Sequence, residues 1–183
     1  MELRSATGRL SPPAGSVQLR PVIGVATAAL IVAALVHLGP TAHAIGAVFI
    51  LSVVAVVTVV DLEQRRIPNR IVLPATAVVL VVQIALDPAM APTLIAFSLA
   101  AGLFFYLPML IFRGGMGMGD VKLAVFLGAA FAEVVVVVIA VAVLAAFFAA
   151  LAVLFQNGTA GRKSAMAFAP FLALGAAVAI FIG

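Results

Sequence analysis

Five unbroken apolar runs dominate this chain and restrict it to one class of fold. Crossing the hydrocarbon core of a bilayer takes about 20 apolar residues, and continuous runs without polar alternation indicate membrane helices rather than barrel strands. Only 9% of the residues are charged, against about a quarter in ordinary globular domains, so soluble packing would not hide the apolar surface. We therefore predict an all-α, polytopic transmembrane helix bundle. The runs span residues 22–38, 44–60, 71–86, 94–112 and 121–155.

The length of the last run sets the number of segments. Residues 121–155 are too many for one ordinary membrane helix, so we expect a turn near Glu133 that makes two helices of them. A tail of residues 1–20 precedes the first segment, and residues 21–183 form a single membrane-embedded domain. The bundle then has about six to seven spanning segments. They cover approximately residues 21–38, 44–60, 69–86, 92–112, 120–132, 134–155 and 166–182.

The positions of the basic residues predict the orientation of the bundle. Short loops rich in Lys and Arg stay in the cytoplasm, and all ten basic residues lie in the N-terminal tail or in and beside alternate connections. The N-terminus is therefore expected to be cytoplasmic, in a cytoplasmic membrane. Because the basic residues punctuate membrane segments and form no single exposed face, no nucleic-acid partner is expected. The chain has no cysteine, which excludes a disulfide framework and thiolate metal ligation.

Two aspartates at the borders of membrane segments are the main candidates for chemistry. Ionisable groups at such positions cost free energy, so they usually mark a functional site. Asp61 directly follows the second apolar run, and Asp120 directly precedes the last one. Between them the chain crosses out and back, so both carboxylates return to the same side at similar depth. Glu63 is the rival to Asp61 because it is two residues away, whereas Asp87 and Glu133 are interpreted as solvated acids in outer connections.

A pair of facing carboxylates suits the hydrolysis of a peptide bond. In a partly dry site the two cannot both ionise cheaply, so one keeps a proton while the other stays charged. The ionised group can take a proton from an attacking water, and the protonated group can donate to the developing oxyanion. This chemistry needs no metal, cofactor or nucleophilic side chain. We therefore predict an aspartyl endopeptidase with Asp61 and Asp120 as its catalytic residues.

A glycine-rich stretch leads directly into Asp120. Residues 113–120 read RGGMGMGD, and glycine at this density permits irregular backbone and close approach of another chain. Such backbone is tolerated at membrane depth where it is buried or lines a watery cavity. A substrate could pair beside it as an extended strand, which makes Gly115, Gly117 and Gly119 candidate substrate-binding residues. The alternative is a flexible cytoplasmic loop.

Three sequence blocks resemble those of the type IV prepilin peptidase family, which are membrane aspartyl proteases with a Gly-x-Gly-Asp signature. The blocks are residues 61–69 (DLEQRRIPN), 115–123 (GMGMGDVKL) and 169–175 (APFLALG). The resemblance implies that Asp61 and Asp120 are the catalytic pair. It also implies that the partners are prepilin or pseudopilin precursors. Their short basic leader would be removed at the cytoplasmic membrane face, after a glycine and before a hydrophobic helix.

The chain departs from the larger members of that family in one respect. Those members carry a cytoplasmic insertion with paired cysteines and also N-methylate the new N-terminus, whereas this chain has neither cysteines nor a comparable insertion. It resembles the short, peptidase-only branch linked to tight-adherence pili. The resemblance to this branch argues against methyltransferase activity.

Two other classes of function remain open on the residues alone. A proton- or cation-coupled transporter would use the same two carboxylates, but it would not explain the glycine stretch or the Ile-Pro-Asn of residues 67–69. A non-catalytic assembly subunit would explain the helices and leave both aspartates unexplained. The lipid bilayer is an expected partner in every case, and the oligomeric state is left open.

Overall fold

Seven α-helices account for most of the residues that the structure describes. The computed structural model describes residues 16–39, 41–64, 66–111, 117–157 and 167–182. Within these ranges there is no strand, which confirms the all-α prediction. Two short 3-10 helices, Pro88–Met90 and Ala132–Val134, join α-helices. The α-helices are α1 (Ser16–Leu38), α2 (Ala42–Gln64), α3 (Asn69–Leu86), α4 (Ala91–Ile111), α5 (Met118–Phe131), α6 (Val135–Asn157) and α7 (Ala169–Ile182).

The helices are long and apolar enough for a multi-pass membrane protein. Within the described ranges, five stretches meet the length and hydropathy of a membrane span, and α7 is a shorter apolar helix. The last of the five has 39 residues and contains both α5 and α6, so it does not run as one helix. The stretches are Pro21–Leu38, His43–Gln64, Asn69–Leu86, Pro88–Ile111 and Met118–Gln156.

The predicted turn near Glu133 is confirmed. Glu133 lies in the 3-10 helix Ala132–Val134, between α5 and α6. Ala132 has a φ of 48°, a left-handed value that an α-helix does not accommodate. The chain therefore leaves α5 at Phe131 and starts α6 at Val135.

Helix α3 has the predicted bounds because both of its ends carry local signals. Pro68 precedes its first residue with a φ of −74°, and proline is tolerated at a helix start because the first N–H groups have no helical partner. Asp87 follows the helix in an extended conformation, and its Oδ1 accepts the Ala89 N–H at 3.0 Å. The segment predicted at residues 69–86 is thereby confirmed.

Helices α3 and α5 run in the same direction along the bundle. Near their starts, Lys122 Nζ donates to Asn69 Oδ1 at 2.8 Å. Near their ends, Gln83 Nε2 donates to the carbonyl oxygens of Ala129 at 2.8 Å and Ala130 at 3.1 Å. Those carbonyls belong to the last turn of α5, which has no helical donors left for them. Gln83 therefore satisfies the end of α5.

Helix α4 runs antiparallel to α5 and approaches it closely. Gly128 of α5 lies against the backbone of Phe97, and further along α4 Gly102 faces Val125. Ser98 Oγ donates to the Val125 carbonyl oxygen at 2.8 Å. Small residues and a hydroxyl at this contact are typical of helix pairs in membranes, because they allow close backbone approach.

Helix α5 is the buried centre of the bundle, and the outer faces of other helices are apolar. Half of the α5 residues are buried, whereas Val36 of α1 and Phe155 of α6 are each 80% exposed. Large exposed apolar surfaces are unusual on soluble monomers and fit contact with lipid. The buried residues of α5 are Val121, Leu123, Ala124, Phe126, Leu127, Gly128 and Ala129.

Helix α7 packs antiparallel to α2 and begins at the end of the bundle where α2 finishes. Ala169, at its start, contacts Asp61 near the end of α2. Farther along, Ala177 and Ile180 share a hydrophobic cluster with Ala47 and Leu51. The end of α2 and the starts of α3, α5 and α7 therefore meet at one end of the bundle.

Candidate active site

Asp61 is a buried carboxylate in the last turn of α2. The helix continues to Gln64, past the end of the apolar run, so Asp61 lies inside it. The side chain is only 6% exposed. Its Oδ2 accepts the backbone N–H of Ala169 at 3.3 Å. Ala169 is the first residue of α7, and a helix start offers unpaired N–H groups and a positive dipole end. This partner offsets part of the cost of burying the carboxylate.

Asp120 lies in the first turn of α5. Gly117 precedes the helix in an extended conformation, with a φ of −85° and a ψ of 146°. Asp120 Oδ2 accepts the Gly117 N–H at 3.3 Å, and the Asp120 N–H donates to the Gly117 carbonyl oxygen at 3.1 Å. Asp120 is half-buried. Its carboxylate, like that of Asp61, accepts a backbone N–H at the start of a helix.

The two carboxylates lie close enough for the charge of Asp61 to act on Asp120. They come from different helices, and the packing of α2, α3, α5 and α7 brings them to one end of the bundle. At short range in a poorly solvated site, such an interaction is much stronger than in water. The structure therefore places both carboxylates at one end of the bundle, within range of each other's charge.

Two contacts join the sequence blocks that carry these aspartates. A Cβ on Gly119 would lie 2.6 Å from the Ile67 Cβ, so only glycine allows the two backbones their present spacing. One turn further along α5, Lys122 donates to Asn69. This basic side chain therefore has a specific partner in the Ile-Pro-Asn block. The Ile-Pro-Asn block therefore packs and bonds against the start of α5.

The three glycines expected to bind substrate have different positions. Gly115 lies outside the described residues. Gly117 is exposed and extended, directly before α5. Gly119 is helical and packed against Ile67. A role for any of them in binding substrate stays a prediction.

Three other acidic residues, Glu63, Asp87 and Glu133, differ from the pair in burial or in their place in the fold. Glu63 lies in the last turn of α2, where a loop was expected, and it is half-buried. Asp87 and Glu133 are exposed and lie in connections, as expected. No group of three or more His, Asp or Glu side chains that could hold a metal occurs among the described residues.

Two residues close to Asp61 were not singled out in the sequence. The stretch from Ala169 was noted as a family block without a role, because its contact with Asp61 depends on how α7 packs. Thr58 is 6% exposed and precedes Asp61 by three residues on α2. That spacing is a helical one and was the available signal.

A comparison with protein-family models assigns the chain. The model of the type IV leader peptidase family matches residues 47–155, which is more than half of the chain and includes both aspartates. Neither curated proteins nor solved structures yielded a match. The family indicates that the activity is that of a protease, and it implies that the substrates are pilin precursors. This chain belongs to the type IV leader peptidase family.

Proposed function

We propose that this protein is an aspartyl endopeptidase that removes the short basic leader from type IV pilin-like precursors at the cytoplasmic membrane face. The observation that carries the proposal is the meeting of Asp61 and Asp120 at one end of the bundle, each beside a helix start. Membership of the type IV leader peptidase family supports the class of reaction and of substrate.

The two carboxylates divide the proton transfers of hydrolysis between them. The ionised aspartate accepts a proton from a water molecule while the water oxygen bonds to the scissile carbonyl carbon. The protonated aspartate donates its proton to the carbonyl oxygen as negative charge develops there. The tetrahedral intermediate then collapses: one of its hydroxyl groups returns a proton to the second aspartate as the C=O bond re-forms, the C–N bond breaks, and the amine leaves with the proton that the first aspartate had taken from water. The pair returns to its starting state with one proton shared.

The helix starts hold the carboxylates in place for these steps. Each Oδ2 accepts one backbone N–H, from Ala169 or from Gly117. The Phe168 N–H is a second backbone donor beside the Asp61 carboxylate. A carboxylate has about four acceptor positions, so both aspartates retain positions that can serve water or substrate. A catalytic group held by backbone needs less reorganisation during reaction.

The charges near the pair support a cytoplasmic orientation of the site. Arg66 and Arg70 are exposed and lie beside the Ile-Pro-Asn block, at the aspartate end of the bundle. Basic residues at one end of the membrane segments favour the cytoplasm for that end. The leader of a pilin-like precursor lies on that side before its hydrophobic helix enters the bilayer.

The test is cleavage of a defined precursor by the purified protein in detergent micelles. We expect one cut after the glycine that ends the basic leader, detected by intact mass. The new N-terminus should stay unmethylated in the presence of a methyl donor, as in the peptidase-only branch. The matched control is the same precursor with a bulky residue in place of that glycine. No cleavage, together with aspartate-dependent proton uptake in liposomes, would instead support the transporter.

A further inference from the structure

The hydroxyl of Thr58 is buried and has no hydrogen-bond partner in the part of the chain that the structure describes. The residue is 6% exposed and lies on α2, one helical turn before Asp61. Buried polar groups in proteins are nearly always paired with protein or ordered water. A hydroxyl left without either loses the hydrogen bonds it had in water.

Three other hydroxyls on the described helices, those of Thr27, Ser52 and Thr76, find a partner within their own helix. Thr27 donates to the Ile23 carbonyl oxygen at 2.8 Å. Ser52 and Thr76 likewise donate to the carbonyl oxygens four residues before them, at 2.7 and 2.8 Å. This local bond is a common solution for Ser and Thr in helices. Thr58 lies in a helix of the same kind and does not make the bond, so its hydroxyl is available to another partner.

The nearest ionisable group on the same face of α2 is the Asp61 carboxylate. Side chains three residues apart on a helix are neighbours, with Cβ atoms about 5 to 6 Å apart. Asp61 Oδ2 accepts the Ala169 N–H, and the Phe168 N–H is a second backbone donor to this carboxylate. A carboxylate has about four acceptor positions, so two backbone donors leave room for a bond from water. A water molecule with two to four polar partners is the usual occupant of such a position. One that bonds to both side chains needs O···O distances of about 2.8 Å, which this spacing permits.

We propose that the Thr58 hydroxyl and the Asp61 carboxylate bind one water molecule in common, and that this is the water that attacks the scissile peptide bond. The inference rests on the proposed peptidase function and adds a residue to its machinery. Thr58 orients the water oxygen, Asp61 accepts the proton, and the O–C bond forms as that O–H bond breaks. Without the hydroxyl the water keeps one fixed partner in place of two.

The kinetic test compares Thr58→Val, which keeps the shape and removes the hydroxyl, with Thr58→Ser, which keeps the hydroxyl. We expect Thr58→Val to lower kcat by about tenfold or more with KM within about twofold, because the change affects the reacting water and not substrate contacts. Thr58→Ser should retain kcat within about threefold. Thr76→Val is the matched control, since the Thr76 hydroxyl bonds its own helix, and it should cut as the wild type does.

Two kinetic results would overturn the proposal. One is wild-type kcat for Thr58→Val. The other is an equal loss for Thr58→Val and Thr58→Ser, which would assign the effect to packing rather than to the hydroxyl.

A measurement of thermal stability tests the shared water independently of peptidase activity. If the hydroxyl has no partner, Thr58→Val removes a penalty and raises Tm. The shared water predicts a lower Tm for Thr58→Val, and a smaller decrease when Asp61→Ala is already present, because one partner of the water is then gone. A raised Tm, or the same decrease in both backgrounds, contradicts the proposal. If the wild type cuts no precursor, the peptidase function fails, and the Tm comparison still tests the water site.

Discussion

Gly119 and Ile67 meet so closely that a Cβ on Gly119 would lie 2.6 Å from the Cβ of Ile67 and 3.1 Å from its Cγ1. Gly119 precedes Asp120, and Ile67 lies just beyond the helix that carries Asp61. The contact therefore sets the distance between the two segments that hold the carboxylates. It gives a physical reason for glycine directly before the second aspartate.

Gly119→Ala should damage both packing and activity. The added methyl group meets Ile67 at its branched Cβ, which cannot swing away as the end of a flexible side chain could. Overpacking of this kind costs about 1 to 3 kcal/mol, and displacement of Asp120 should lower kcat by about tenfold or more. Precursor cleavage and thermal unfolding measure the two effects. Gly46→Ala is the control, because a Cβ there meets nothing within 4 Å; equal behaviour of the two variants would contradict the account.

The hydrogen bond between Lys122 and Asn69 should couple α3 to α5. We expect Lys122→Met and Asn69→Ala each to destabilise the protein, and the double variant to lose about 0.5 to 1.5 kcal/mol less than the sum, since the shared bond is lost only once. Unfolding free energies of the four proteins in mixed micelles give the coupling. Arg70→Met replaces a basic residue next to Asn69 and is the control. Full additivity for Lys122 and Asn69 would show that the bond contributes nothing.

Gly175 allows α7 to lie against α6. A Cβ on Gly175 would collide with the carbonyl oxygen of Val138, which belongs to the backbone and cannot move aside alone. Gly175→Ala should therefore separate α7 from α6, lowering Tm and, through the Ala169 contact with Asp61, kcat. Gly24→Ala, on α1 with no neighbour within 4 Å of its Cβ, should leave both unchanged. A stable, fully active Gly175→Ala protein would show that this close contact is not required.

Removal of divalent metals should not affect cleavage. The proposed chemistry uses protons carried by Asp61 and Asp120, and no third His, Asp or Glu joins them among the described residues. Dialysis against a chelator should leave kcat within about twofold of its starting value. A loss that is restored by adding back one metal would require a different mechanism.

The helices were predictable from the sequence because long apolar runs have a single stable form in a bilayer. The segment predicted at residues 69–86 coincides with α3, and the break near Glu133 was predicted from the length a membrane permits. The apolar run underestimated the length of α2. The helix extends to Gln64 and so includes Asp61. Polar residues can continue a helix beyond an apolar run, so hydropathy alone does not locate its end.

The candidate aspartates were also predictable, since acidic residues bordering a membrane segment are costly and few. Their supporting contacts were not. Ala169 reaches Asp61 only because α7 packs against α2, and Lys122 finds Asn69 only because α3 and α5 run side by side. Contacts between residues so distant in the chain depend on helix packing, which apolar periodicity does not specify when a helix is apolar on every face.

The most direct test of the central claim is precursor cleavage by Asp61→Asn and Asp120→Asn, beside the wild type and Asp87→Asn. Asn keeps the size of the side chain and loses its proton chemistry, so each of the first two variants should cut at least about a hundredfold more slowly with unchanged membrane insertion. Asp87→Asn should cut normally, because Asp87 is exposed and can still accept the Ala89 N–H as an amide. Wild-type cleavage by either Asp61→Asn or Asp120→Asn would contradict the two-aspartate mechanism at that residue.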